Sequence, residues 1–103
     1  MVDGFRLSAQ TLAVLTELLQ PATEWRYGYD LSRETGLKSG TIYPILVRLT
    51  EREWLETRWE QAAENGKPRH MYRLTAAGRR SARALVQESA VGLRSLKLAY
   101  RRK

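Results

Sequence analysis

The chain of 103 residues has no cysteine and a single histidine. Without cysteine there are neither disulfides nor thiolate metal sites, and a reducing compartment, the cytoplasm, is the natural reading. One histidine cannot build the cluster that a zinc site needs, so neither metal nor cofactor is expected. No apolar run approaches the roughly 18 residues that suggest a membrane span. The opening stretch "MVDGFRLSAQ" has neither the basic n-region nor the apolar core of a signal peptide. What remains is one small domain. A chain of this size buries only about 60–70 % of its unfolded surface, so partner surface is expected to add to its stability.

What the sequence does have is positive charge, unevenly placed. The net charge is +7. Residues 1–37 carry three basic and five acidic side chains, whereas residues 38–103 carry fifteen basic and six acidic ones. An acidic first third joined to a strongly basic remainder points to an anionic partner for the second part, with nucleic acid foremost.

Apolar spacing locates the elements. Leu12, Leu15, Leu18 and Leu19 share one face of a helix over residues 8–20, with Ser8 as N-cap and Pro21 beyond its end. "ATEWRYG" reads as a connection. "YGYDLSRET" is a short second helix with Tyr29 and Leu31 available to the core, and Gly36 suits its left-handed C-cap. A third helix follows within a few residues, giving a helix-turn-helix. Then the period changes. In "WLETRWEQ", Leu55, Thr57 and Trp59 alternate with Glu56, Arg58 and Glu60, as in a half-exposed strand. "AAENGKPR" is a turn, and "HMYRLT" returns as a second strand. The hairpin tip carries Lys67 and Arg69 around Pro68. Thr75 can N-cap a long last helix in which Ala82, Val86, Ser89, Leu93, Leu96 and Tyr100 recur at coiled-coil-like spacing. That stripe is read as a dimer interface.

These elements predict a mainly α chain with a small β-hairpin (α+β), a winged helix-turn-helix with a long C-terminal dimerisation helix. Residues 1–75 form the DNA-binding domain including the N-terminal helix, and residues 76–103 form the dimerisation helix packed on it.

The third helix, "SGTIYPILVRLTERE", divides into two faces. Ile42, Ile45, Leu46 and Leu49 belong in the core. Thr41, Pro44 and Arg48, flanked by Tyr43 and Val47, lie opposite. A recognition helix enters the major groove with its N-terminal residues nearest the bases. Ser39, Gly40 and Thr41 are small enough to let the backbone approach phosphate at the positive end of the helix dipole, and Lys38 precedes them. Pro44 is expected at or near the last position without a helical N–H partner, where its cost is small. The candidate DNA contacts are Lys38, Ser39, Gly40, Thr41, Tyr43, Pro44 and Arg48 on the helix, with Lys67 and Arg69 on the wing.

"YGYDLSRETGLKSGTIYPILVRLTEREWLE" followed by "GKPRHMYRLTAAGR" resembles the PadR family of bacterial transcriptional regulators, over residues 27–79, about half the chain. One departure stands out. Where the family usually has glycine after the recognition helix, this chain has Glu53-Trp54-Leu55. The resemblance implies a homodimer held by the C-terminal helix with help from the first. It also implies binding to a palindromic operator on double-stranded DNA and, usually, repression relieved by a small-molecule effector.

An enzyme is disfavoured. His70 lies alone on a wing strand, Glu51 and Glu53 lie on a solvated helix end, and "NGKPR" is a turn that does not open a helix. The rival reading is a winged helix that binds a protein partner, but the positive charge of Lys38, Arg48, Lys67 and Arg69 favours DNA. Trp25, Trp54 and Trp59 are read as core or wing packing, and Leu96 and Tyr100 as interface rather than the walls of a ligand pocket.

Overall fold

The computed structural model describes residues 8–61 and 66–101, with side chains of the last helix described as far as Ser89. Helix α1 spans Ala9–Leu18, two residues shorter at its end than the spacing predicts. The Ser8 hydroxyl oxygen accepts the Thr11 N–H at 3.1 Å, satisfying one donor at the helix start. Thr11, Val14, Leu15 and Leu18 form the buried stripe. Leu12 and Leu19 sit only half-buried at its edges. At the far end, the Arg26 guanidinium donates to the carbonyls of Glu17 at 2.8 Å and Gln20 at 3.1 Å. It thereby caps the C-terminus of α1, while its other nitrogen meets the carboxylates of Glu17 and Glu34.

Arg26 belongs to a strand. Strand β1 (Arg26–Tyr27) pairs antiparallel with β3 (Arg69–Leu74), Arg26 opposite Tyr72 and Tyr27 opposite Met71. The connection predicted here is thus part of a three-stranded sheet in the order β1-β3-β2, with β2 at Leu55–Glu60. Two residues are too few to display an alternation, and their pairing is long-range.

Helix α2 (Gly28–Thr35) ends at Gly36, whose φ of 76° is the left-handed cap that its sequence suggests. Leu31 enters the core, but Tyr29 is 67 % exposed. Two positions along a helix is about 200° of rotation, so the two residues cannot share a face. Helix α3 spans Ser39–Glu51. Its exit is a Schellman motif: the Glu53 N–H donates to Thr50 O at 2.9 Å and the Trp54 N–H to Leu49 O at 3.0 Å. Glu53 holds the left-handed position at φ 63°. The missing glycine therefore leaves the geometry of the exit in place.

Helix α4 spans Ala76–Arg101. Thr75 caps it, its hydroxyl accepting the Gly78 N–H at 3.0 Å. A Cβ on Gly78 would lie 2.0 Å from the Trp54 carbonyl oxygen, so only glycine allows α4 to start this close to the chain leaving α3. The core joins the α1 stripe to Leu31, the four apolar α3 residues, Leu55, Tyr72, Leu74 and Ala82. Ala82 corrects an expectation. It is fully buried within the core cluster of its own chain, so it offers nothing to a partner. Val86 is partly buried against the same core, and Ser89 is half-buried. The side chains of Leu93, Leu96 and Tyr100 lie outside the described residues.

Candidate nucleic-acid interface

Two faces of α3 have opposite fates. Ile42, Ile45, Leu46 and Leu49 are buried; Gly40, Thr41, Tyr43, Pro44, Val47 and Arg48 are exposed. Lys38 is the N-cap and Ser39 the first helical residue, both exposed. Thr41 and Ile42 give the first backbone bonds, each to Lys38 O at 2.9 Å. The N–H groups before them are left at the helix start, where they favour an anion.

Pro44 lies deeper than its sequence suggests. Since Ile42 already donates a helical bond, Pro44 is two residues inside the ladder, and it has no N–H for the carbonyl of Gly40 four residues back. Both residues are exposed, so water can serve that carbonyl.

The turn before α3 is held by side chains. The Thr35 hydroxyl donates to Leu31 O at 2.7 Å and accepts the Leu37 N–H at 3.2 Å, and the Ser32 hydroxyl donates to Leu37 O. The Tyr43 ring reaches back over Gly28, to within 2.8 Å of where a Cβ would stand. Tyr43 is consequently only 37 % exposed, part of the α2–α3 contact as well as of the outer face.

The wing is built by regular pairing, from Leu55 opposite Leu74 out to Glu60 opposite Arg69. Lys67 and Arg69 are exposed near its tip, as expected. Asn65 of the predicted turn lies outside the described residues; Gly66 beside it has φ 70°. Arg69 does not simply project from the tip: its guanidinium lies 5.3 Å from the Tyr27 ring centre, and Glu60 is its cross-strand partner. On the same side of the sheet, Arg58 and Arg73 flank Trp25 at 4.6 and 4.4 Å, and Arg73 pairs with Glu56 at 3.1 Å. Those charges hold the sheet together.

The alternation places Leu55, Thr57 and Trp59 on one face, opposite Leu74, Tyr72 and His70. Its inner end joins the core. Its outer end leaves the body, where the Trp59 and His70 rings stack at 4.1 Å and 15°. His70 in turn lies 4.4 Å from Tyr72, whose hydroxyl meets His70 Nδ1 at 2.9 Å. Burial holds the His70 imidazole below its usual pKa. Burial, with Tyr43 nearby, pushes the Tyr72 phenol up to about 12. A cleft of about 740 Å³ opens between wing and helices, lined by Tyr27, Tyr29, Tyr43, Trp59, Arg69 and His70. Of these, only Tyr43 and Arg69 are singled out from the sequence as contacts. The others come together through β1 and the wing register, which no local pattern announces.

A helix-turn-helix followed by a β-hairpin and an exit helix defines a winged helix-turn-helix protein. Residues 15–84 match the transcriptional regulator PadR-like family, and the chain belongs to that family. It is 33 % identical over 71 residues to "Uncharacterized protein X" of Lysinibacillus sphaericus, a match covering 61 % of this chain and 64 % of that protein. The chain thus spans less than two thirds of that relative's length. Among solved structures it resembles a PadR family transcriptional regulator from Eggerthella lenta, with 28 % identity and a TM-score of 0.69 over 84 % of this chain and 80 % of that one. The smu.1704 protein of Streptococcus mutans is similar at 28 % identity and a TM-score of 0.70, over 91 % and 90 % of the two chains. A PadR-like regulator from Bacillus cereus, at 24 % identity, has a TM-score of 0.71 over 87 % and 89 %. That last likeness speaks to the fold alone. The family is one of transcriptional regulators, and no described helix is long and apolar enough to cross a membrane.

Proposed function

We propose that the chain represses transcription as a homodimer on a palindromic operator, and that a small-molecule effector releases it. In this reading α3 enters the major groove and the β2–β3 wing follows the flanking backbone and minor groove. The observation that carries it is the outer face of α3. Thr41, Pro44 and Arg48 have no part in the core, while the opposite face is completely buried. Lys38, Ser39 and Gly40 sit at the helix start, where phosphate is favoured. Thr41, Tyr43, Pro44 and Arg48 face the base edges, and Lys67 and Arg69 serve the backbone beside them. The two-fold partner is supplied by α4 beyond Ala82, through Val86, Ser89, Leu93, Leu96 and Tyr100.

The test is a gel-shift with the promoter upstream of the protein's own gene. One retarded complex with two protomers per duplex, and derepression of a reporter when the gene is deleted, are the expected results. If no duplex is retarded and no sequence is enriched from a random library, the DNA reading is lost. A winged helix that binds protein then takes its place.

A further inference from the structure

Trp59 has a position that core packing does not explain. It is 63 % exposed, although a large aromatic ring is costly to leave in water. Its ring is nonetheless fixed. One face lies on His70 at 4.1 Å and 15°, and His70 is itself held by the Tyr72 ring and hydroxyl. Tyr72 is buried in the core, so the stack Trp59–His70–Tyr72 is anchored at its inner end and open at its outer end. The strand register turns this open end to the same side of the wing as the core, so that Trp59 and Tyr43 of α3 line one cleft. That cleft separates helix from wing, the space that a sugar–phosphate strand crosses in the proposed complex.

We propose that Trp59 is a DNA-contact residue, an apolar platform on which deoxyriboses of the strand between the two grooves pack. The inference rests on the DNA-binding reading above. Its chemistry follows from the geometry. One indole face is already covered by His70, so the ring is a platform with a single open side; a wedge between base pairs needs both faces free. The apolar face that DNA offers to the wing is the sugar. Charges beside it suit the same strand: Arg69 lines the cleft, and Lys67 lies two residues before it. Because the contact is uncharged, it adds affinity without releasing counterions, which separates it from Lys67 and Arg69.

The experiment uses the full chain and a duplex that the wild-type protein selects from a randomised library. Trp59→Ala should weaken binding about tenfold, the scale of one aromatic contact with nucleic acid, and leave the slope of log K against log salt unchanged. Trp59→Phe should retain most of the affinity. Hydroxyl-radical cleavage, which attacks the deoxyribose itself, should show protected sugars beside each half-site with the wild type and exposed ones with Trp59→Ala. Both variants change an exposed residue, and an unaltered thermal melt verifies their fold. Wild-type affinity and footprint in Trp59→Ala overturn the inference while leaving DNA binding intact. So does a fall in the salt slope, which means that the wing's charges have moved. If the wild type selects no duplex, the DNA-binding reading itself falls, and this inference with it.

Discussion

The hydroxyl of Thr75 donates to the carbonyl of Glu53 at 2.8 Å, tying the left-handed residue at the exit of α3 to the residue that caps α4. The Thr75 N–H adds a bond to Trp54 O at 2.9 Å. Glu53 is held at φ 63° by these neighbours and by its own bond to Thr50 O. A left-handed conformation costs an L-residue about 1–2 kcal/mol, part of which glycine gives back through its greater entropy when unfolded. Glu53→Gly should therefore stabilise the protein by about 0.5–1 kcal/mol, measured by urea unfolding. A lower urea midpoint would mean that the Glu53 side chain contributes more than its backbone costs.

Gly78 faces the same junction. Its alanine variant would put a methyl carbon 2.0 Å from the Trp54 carbonyl oxygen, a clash with backbone that no rotamer change relieves. Gly78→Ala should cost at least the upper end of the about 1–3 kcal/mol typical of overpacking. Thr75→Ala, which removes the cap and the bond to Glu53, should cost about 1–2 kcal/mol. Equilibrium unfolding orders the two, and a milder Gly78→Ala contradicts the close approach.

The helix caps, Thr75 among them, were legible in the sequence. Ser8, Gly36 and Thr75 are visible as caps because capping depends on one residue type next to an apolar run. The buried face of α3 is visible because four apolar residues recur at helical spacing. Strand β1 is invisible: Arg26 and Tyr27 pair with residues more than forty positions away. Ala82 departs from the expected dimer stripe for a related reason. Spacing tells which residues share a stripe but not which surface covers it, and at Ala82 the cover is the core of the same chain. The cleft around Trp59 needs both the sheet register and the α2–α3 crossing, so no local pattern reveals it.

The division of α3 can be tested by pairing variants across it. Ile45→Ala and Leu46→Ala empty buried sites and should cost about 2–5 kcal/mol of stability each. Thr41→Ala and Arg48→Ala alter exposed sites. They should leave the melting temperature nearly unchanged while weakening specific binding by about 1–3 kcal/mol where either makes a good base contact. If Thr41→Ala lowers the melting temperature more than Leu46→Ala does, the outer face is structural.

Pairing through α4 is expected to rest on its distal half, since Ala82 is committed to the core. Leu93→Glu with Leu96→Glu places charges on the apolar stripe. Light scattering should then report a monomer. Operator affinity should collapse, because half-sites about 34–36 Å apart need a two-fold protein. A wild-type chain that is monomeric at micromolar concentration removes the dimer from the proposal.

The wing separates two kinds of cation. Lys67, a compact point charge, is suited to phosphate. Arg69 lies 5.3 Å from the Tyr27 ring, within the cleft, and can turn from that ring toward a narrow minor groove. Such grooves in A·T-rich DNA attract arginine through their enhanced negative potential. Lys67→Ala should weaken specific and non-specific binding about equally and lower the salt slope by roughly 0.9, one released counterion. Arg69→Ala should lower the slope similarly and also reduce the preference for A·T pairs beside the half-site. The measurement is operator affinity at several salt concentrations on A·T-flanked and G·C-flanked duplexes. Wild-type affinity and slope in both variants would make the basic tip a solvated turn. The DNA contact would then rest on α3, and a protein partner would become the better reading of the wing.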